Sequence, residues 1–403
     1  MERLECLFCQ SQYPVNVHSP FCPQCREPLF VSYAPRKRTF FLEKNSAVEK
    51  FLDFLPLSKF DTKFSLGEGN TPLVYLERLT KKLNLRSIFA KNETQNPTLS
   101  FKDRGTAVAV QKAVSLGLRR IGTISTGNMA ASTAAYGARA GLETFVLLKE
   151  GTSSQNILFA GIHGPVLITV EGDYGQLFYE SFSLGQKCQI YFINSVDPFR
   201  IEGYKVTGFE IFLQLESQAP QYIFVPLSSG GHLIGLMRSF LDLKQQGLVQ
   251  HYPTFVGVQA QGCSPLAQAY ASGSLKFNKI EKVRTIAHAI SNPNPPGGKI
   301  VLKMIQDNRG IIIAVSDEEI LGAQKMLAEE EGIFCQPDSA TTLAGLIKLT
   351  QQIEFQDKDK IVLVLTGSGL KNLKGLDTSK MKVHAASLAT VEEKIIALLS
   401  SQL

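Results

Sequence analysis

The segment Asn96-Pro97-Thr98-Leu99-Ser100-Phe101-Lys102-Asp103-Arg104-Gly105 sets one lysine at the start of what reads as a helix. An Asn-Pro turn signal and two hydroxyl residues precede it, a bulky aromatic lies next to it, and an alanine-rich stretch follows. A solvated surface lysine, the plain alternative for Lys102, needs none of this, and a cation beside a helix N-terminus is disfavoured by the helix dipole. A lysine that forms a Schiff base with a carbonyl cofactor needs most of it: a fixed position, partial desolvation, and backbone donors nearby for anionic groups.

Four further clusters follow strand-like runs. Ser125-Thr126-Gly127-Asn128 comes after Ile121–Ile124 and opens a helix. It reads as a general anion site, or simply as an N-cap. Pro226-Leu227-Ser228-Ser229-Gly230-Gly231-His232 follows Tyr222–Val225. Adjacent glycines let backbone N–H groups approach a phosphate closely, although most glycine turns are only turns. This loop lacks the Lys-Ser/Thr ending of a P-loop, and no dinucleotide fingerprint is present. Leu365-Thr366-Gly367-Ser368-Gly369 ends another strand-like run, and a hydroxyl there suits a neutral pyridine nitrogen where an Asp would keep it protonated. Asn194-Ser195-Val196-Asp197-Pro198-Phe199-Arg200 gathers an amide, a hydroxyl and a guanidinium that fit a second phosphate; the plain reading is a helix cap with a solvated Arg. A reactive lysine, a phosphate cradle and a pyridine partner together point to pyridoxal phosphate (PLP).

The elements that must hold these residues alternate. β-Branched runs at Ser87–Ala90, Ile121–Ile124, Thr144–Leu148, Val166–Val170, Ile190–Ile193, Tyr222–Val225, Phe255–Val258, Ile311–Val315 and Ile361–Leu365 are separated mostly by helical stretches. Examples of the latter are Thr106–Ser115, Ala130–Arg139, Gly231–Lys244, Asp317–Glu331 (with Ser316 starting a capping box) and Ser339–Thr350. The pattern predicts α/β architecture with parallel sheet and ligands at the carboxyl ends of strands. Before this body, Cys6-x-x-Cys9, twelve residues, then Cys22-x-x-Cys25 have the spacing of a zinc ribbon closed by four thiolates; the alternative is free or redox-active thiols. The charged stretch Arg36–Arg38 and a helical-looking Ser46–Phe54 connect the two. Cys188, Cys263 and Cys335 read as small core residues.

The chain has 403 residues, 44% hydrophobic, and a net charge of +6, which does not argue for nucleic acid. No apolar run approaches the roughly 18 residues of a membrane span, and MERLEC has no apolar signal region, so a cytoplasmic protein is expected.

Taken together, the motifs resemble the threonine synthase family of PLP enzymes, of the tryptophan synthase β-like fold type II. The resemblance runs from about Leu66 to Lys371 and includes Glu68–Leu73, Asn96–Gly105, Ser125–Asn128, Ala134–Gly141, Asn194–Lys205, Ser228–His232, Val256–Ala260, Glu331–Leu346 and Leu365–Lys371. It implies two doubly wound α/β domains with the active site between them, plus the N-terminal ribbon. The boundaries expected are 1–34 for the ribbon, 35–108 with 205–403 for a large PLP-binding domain, and 109–204 for a small one. It further implies that Lys102 carries PLP, that Asn128 contacts its 3-oxygen, that Ser229, Gly230, Gly231 and His232 hold its phosphate, and that Thr366 meets the pyridine nitrogen. Ser125, Thr126, Asn194, Ser195 and Arg200 are implied for the substrate's carboxylate and phosphate. The expected reaction is γ-elimination of phosphate from O-phosphohomoserine, then addition of water at Cβ, with Lys102 as general base. Some archaeal and bacterial threonine synthases, and cysteate synthases, look similar at the ribbon end, where the expected zinc is structural.

Departures from the family pattern fall mainly where substrate would be read. Met129 stands where a Thr is usual, His232 for an Asn, Ser228-Ser229 for Gly-Asn, Ser368 for a His and Gln336 for a Glu, and the segment Ala287–Gly298 is only loosely similar. Cysteate synthase (O-phosphoserine plus sulfite) and threonine or serine dehydratase therefore stay open as alternatives. So does a non-catalytic PLP-binding or zinc-ribbon adaptor, against which the intact lysine and Thr366 argue. A homodimer is expected by analogy with the fold.

Overall fold

Short β-branched runs that end in glycine or hydroxyl residues become strands whose carboxyl ends open into loops. The computed structural model describes residues 2–33, 37–373, 384–388 and 390–400. Arg36 of the charged stretch and the expected domain limits at 1, 34, 35 and 403 lie outside them. The chain divides into one unit over Met1–Lys371 and a short one over Asn372–Leu403, which contains the helix Val391–Ser400.

Three sheets make up the larger unit. Strands β1 (Arg3–Cys6), β2 (Gln12–Pro14) and β3 (Leu29–Ser32) pair antiparallel in the order β2-β1-β3. A six-stranded sheet contains β4 (Leu73–Tyr75), β5 (Ser87–Asn92), β10 (Tyr222–Pro226), β11 (Thr254–Ala260), β12 (Ile311–Val315) and β13 (Lys360–Leu365), ordered β12-β11-β10-β13-β5-β4. A four-stranded sheet contains β6 (Arg120–Ile124), β7 (Glu143–Lys149), β8 (Val166–Val170) and β9 (Tyr191–Phe192), ordered β8-β7-β6-β9. Every pair in the two larger sheets is parallel except β4 with β5. The fold is therefore the expected α/β type. The sequence reading missed β4, Leu73-Val74-Tyr75, an apolar run of only three residues that are half-buried or exposed.

Both faces of the six-stranded sheet are covered, as parallel sheet requires. One core packs the helices Pro198–Gln214, Gly231–Gln245 and Gly298–Asp307 with Phe51, Phe54 and Phe60. The opposite core packs Asp317–Glu331 and Pro337–Thr350. The capping box at Ser316 is present, with Glu319 closing it. A third core joins Leu4, Val17, Leu29 and Val31 of the ribbon to Ala107, Val110 and Ala113 of the helix Lys102–Ser115. Ser46–Phe54 splits into a short helix, Ala47–Lys50, and a 3-10 turn, Leu52–Phe54. Cys263 and Cys335 are buried as expected, but Cys188 is exposed. It sits at the last turn of the helix Tyr174–Cys188, beyond that helix's buried face of Leu177, Ser181, Phe182 and Gly185. No described helix is long and apolar enough to cross a membrane.

Candidate active site and thiol cluster

Lys102 is the first residue of its helix, and the loop before it is tied to the loop after β13. Phe101 N–H donates to Thr366 O (3.0 Å) and Ser368 N–H to Leu99 O (3.0 Å), while Ser100 and Gly367 form a bridge. Asp103 clamps the turn from within by accepting from Thr98 N–H and Thr98 Oγ1 (both 2.6 Å). These bonds hold Leu99 in the left-handed region at φ 58°. The lysine and Thr366 are thus set side by side by backbone pairing.

The Lys102 side chain has shed most of its hydration. Its Nζ lies 4.4 Å from the centre of the Phe101 ring, and no hydrogen bond reaches it among the described residues. Burial pulls the ammonium down to about 7, and the Arg200 cation nearby adds to the effect. Near neutral pH this amine is therefore partly unprotonated and nucleophilic. Lys371, a second lysine beside this turn, is different. It donates to Thr98 O (2.8 Å), and burial lowers it only to about 8, with Asp103 opposing.

The glycine loop after β10 meets Lys102 through His232. The His232 ring stacks on Phe101 with centres 3.9 Å apart and packs edge-on against Tyr204. Both of its ring nitrogens are buried without a partner. Burial, then Lys102 and Arg104, push its pKa well below the usual value, so the imidazole is neutral. Gly230 takes φ 95°, and a methyl there would sit 2.6 Å from Val301 Cγ2; at Gly231 it would sit 2.7 Å from Ser195 O. Backbone in this conformation at the start of the helix Gly231–Gln245 leaves N–H groups free for an anion. The atypical segment Ala287–Gly298 braces this loop: Asn292 Nδ2 donates to Ser229 Oγ (2.8 Å). Asp338 in turn accepts from Ala289 and Ile290 N–H (2.6 and 3.2 Å).

Arg200 is the second focus. Its guanidinium is fully buried; Nε donates to Tyr204 Oη (2.9 Å) and Nη1 to Ile193 O (3.2 Å), while Nη2 has no partner. It forms no salt bridge among the described residues. Tyr204, one turn along the same helix, joins Arg200 to the Phe101–His232 stack; the sequence reading gave it no role, although its i+4 spacing from Arg200 was visible. The plain expectation of a solvated Arg fails here: Gly105 lets the Arg200 chain pass, since a methyl there would lie 2.6 Å from Arg200 Cγ.

Asn128 opens the helix Asn128–Ala140, and its Nδ2 donates to Gln336 Oε1 (2.7 Å). Gly367 packs against the same pair; a methyl on it would sit 2.3 Å from Gln336 Oε1 and 3.3 Å from Asn128 Nδ2. Thr366 Oγ1 and Ser339 Oγ share a hydrogen bond (3.0 Å). Ser125 and Thr126 are half-buried at the end of β6, and Met129 behind them is buried. Ser195 is half-buried beside Gly231, but Asn194 is fully buried and already engaged. Its Oδ1 accepts from Ile124 N–H (2.9 Å) and its Nδ2 donates to Ser181 Oγ (3.0 Å).

Behind the lysine lies a charge network the sequence reading missed. Arg104 pairs with Glu93 (2.5 and 2.7 Å) and Glu210 (2.7 and 2.9 Å), and Lys91 with Glu210 (2.5 Å), all buried. Burial raises the Glu210 carboxyl, but Arg104 and Lys91 more than offset this and hold it at about 2. Asn96 joins through Glu93 (2.9 Å), so the turn carrying Lys102 is anchored at both ends.

The residues present fit PLP. An unpaired, deprotonable lysine, a positive-φ glycine cradle with an orphaned imidazole, an amide and a hydroxyl all converge on one place.

At the N-terminus, Cys6, Cys9, Cys22 and Cys25 bring their sulfurs within 4.8 Å of one another. Two matching turns hold them: Gln10 N–H donates to Cys6 O (2.8 Å) and Arg26 N–H to Cys22 O (2.9 Å), with Gln10 and Arg26 at φ 60° and 59°. Tetrahedral zinc–thiolate bonding would space the sulfurs by about 3.8 Å, so the cluster is compatible with a zinc ribbon.

Comparison with known proteins agrees with this geometry. Residues 64–367 match the model of a family described as pyridoxal-phosphate dependent enzymes. The chain is 38% identical to threonine synthase of Methanocaldococcus jannaschii, over 82% of each chain. It is 34% identical to that of Methanosarcina acetivorans, over 92% of this chain and 93% of the relative. In fold it is similar to maize serine racemase (TM-score 0.65, 18% identity, 83% of this chain and 94% of that one). It is also similar to the processed form of threonine deaminase isoform 2 from Solanum lycopersicum (TM-score 0.64, 21% identity, 77% and 85%). The chain belongs to the PLP-dependent enzyme family of fold type II, on its threonine synthase branch.

Proposed function

We propose that this chain is a PLP-dependent threonine synthase that converts O-phosphohomoserine and water to threonine and phosphate. The observation that carries the substrate reading is Arg200: a fully buried guanidinium with a free Nη2 and no carboxylate at salt-bridge distance, close enough to Lys102 to depress it. The nearby buried Asp197 bonds the Arg200 backbone N–H and Tyr191 instead. An unbalanced buried cation is costly unless a ligand supplies the anion. A phosphorylated amino acid supplies a doubly charged phosphate for it, in addition to the carboxylate that a dehydratase's unphosphorylated substrate also carries.

When bound, PLP supplies an electron sink for charge developing at the substrate's Cα. Lys102 holds it, with the Ser229–His232 loop on its phosphate, Asn128 on its 3-oxygen and Thr366 at its ring nitrogen. A hydroxyl at that nitrogen leaves the ring less electron-withdrawing than a carboxylate would, which favours elimination over transamination. Lys102 Nζ, when not bonded to the cofactor it would hold, would take the proton from Cα; its lowered pKa suits it to accept and return that proton near neutrality. Arg200 Nη2, with Ser195, takes the phosphate and stabilises its charge as it leaves. Asn194 holds β6 against the helix Tyr174–Cys188 and so aims Ser125 and Thr126 at the substrate carboxylate. Loss of a second proton, from Cβ, lets the phosphate depart from Cγ; Cγ then takes a proton and water adds at Cβ, which gives threonine.

The large lobe comprises 35–108 and 205–403 and the small one 109–204, a division supported by the separation into two sheets. The thiol cluster binds structural zinc, and the enzyme acts in the cytoplasm, as a homodimer. Incubating purified protein with O-phosphohomoserine should release phosphate and threonine in equal amounts. Turnover only of O-phosphoserine with sulfite, or of unphosphorylated threonine or serine, would overturn the reading.

A further inference from the structure

Arg104 and Arg200 use the same edge of their guanidinium groups differently. In Arg104 that edge, Nε with Nη2, grips both oxygens of Glu93 (2.5 and 2.7 Å). In Arg200 the Nε place is taken by a neutral oxygen, the Tyr204 hydroxyl (2.9 Å), and Nη2 has no partner. The N–H bonds along that edge run parallel, so acceptors on it lie side by side, as the two Glu93 oxygens do. An oxygen taken up by Arg200 Nη2 on that edge therefore falls within hydrogen-bond reach of Tyr204 Oη.

Tyr204 has a hydrogen to give. Its buried hydroxyl accepts from Arg200 and donates to no acceptor among the described residues. A buried donor left unspent is costly. Burial pushes the phenol pKa up, with Arg200 opposing, so the hydroxyl keeps its proton at neutral pH. The ring is also held in place. It packs against Phe101 and His232 (centres 5.1 and 5.3 Å apart), and methyls on Gly105 and Gly235 would lie 2.7 Å from its Cε1 and 2.6 Å from its Cβ. Phe101 is the ring that flanks Lys102 Nζ, so the hydroxyl belongs to the same end of the site.

We propose that Tyr204 is a second ligand of the substrate's phosphate: oriented by Arg200 Nε, its hydroxyl donates to the phosphate oxygen that Nη2 takes, and the pair selects phosphorylated over unphosphorylated substrates. A hydroxyl that accepts from a cation is polarised and donates more strongly to an anion. The inference rests on the reading of Arg200 as the partner of the phosphate.

The test compares the holoenzyme with its Tyr204→Phe variant, which keeps the ring and loses the hydrogen. KM for O-phosphohomoserine and the Kd of inorganic phosphate should each rise by about tenfold, the loss of one hydrogen bond to a charged group. Cofactor absorbance should be retained, and the Kd of L-homoserine, which has the carboxylate and amine without the phosphate, should be unchanged. A crystal structure of the wild-type holoenzyme with inorganic phosphate should place a phosphate oxygen about 2.5–3.0 Å from Tyr204 Oη as well as on Arg200 Nη2. Phosphate on Arg200 with Tyr204 Oη out of reach would make Tyr204 only a brace for the guanidinium and overturns the proposal. Equal weakening of L-homoserine puts the carboxylate on this pair and overturns it too, as does a variant with unchanged KM and phosphate affinity. Wild-type protein that neither turns over O-phosphohomoserine nor binds phosphate overturns the functional reading and this inference together. Phosphate held by Tyr204 and Arg200, without that turnover, overturns the functional reading alone.

Discussion

Two buried arginines, Arg104 and Arg200, lie in different helices and are held in opposite ways. Arg104 is matched by Glu93 and Glu210, whereas Arg200 forms no salt bridge among the described residues and its Nη2 has no partner. Sequence alone could not separate them. Glu210 lies 106 residues from Arg104, and only the fold joins them. Arg200 was legible as a phosphate candidate from its neighbours and the family resemblance, but its burial was not. The contrast predicts opposite effects on activity and stability. Arg200→Met should lower kcat/KM for the phosphorylated substrate by about 10²-fold or more, with cofactor absorbance retained. The same change should leave the ligand-free protein as stable as wild type or more so, because it removes an uncompensated buried charge. Kinetics and thermal melting on one preparation check both; a marked fall in melting temperature would show that Arg200 is structural.

At the scale of elements, the site is built from loops at the carboxyl ends of strands. The loops after β6, β10 and β13 were legible because each apolar run stops at glycine and hydroxyl residues. What was not legible is the support beneath them. Lys91 in β5, Glu93 just after it, Arg104 in the lysine helix and Glu210 in the helix Pro198–Gln214 form one buried network, and their separation in the chain hides it. Helix periodicity also failed at Pro198–Gln214, which is buried almost all round and so shows no polar face. Glu210→Ala should leave Arg104 and Lys91 with Glu93 alone and destabilise the fold by about 3–5 kcal/mol. Denaturant unfolding measures this, and a loss below about 1 kcal/mol would mean that water replaces the missing carboxylate.

At the scale of the molecule, the ribbon is not an appended tag. Its inner face shares a core with the helix that begins at Lys102, Tyr33 Oη donates to Glu202 (2.6 Å), and Lys299 pairs with Glu27 (2.8 Å). The Cys spacing made the thiol cluster legible, but a spacing pattern says nothing about where a module docks. Exposed Cys188 shows the same limit: flanked by Lys187 and Gln189, it is placed by which face its helix turns inward. Removal of metal by a chelator, or Cys6→Ser with Cys9→Ser, should abolish bound zinc and lower the melting temperature by at least about 4 °C. Unchanged metal content in the double variant would refute the site.

The identity of the cofactor-bearing lysine decides the chemistry of this site. Borohydride reduction of the holoenzyme followed by peptide mapping should place the pyridoxyl group on Lys102 alone, and Lys102→Ala should yield no labelled peptide. Label on Lys371 or any other lysine, or a label that survives in Lys102→Ala, would contradict it.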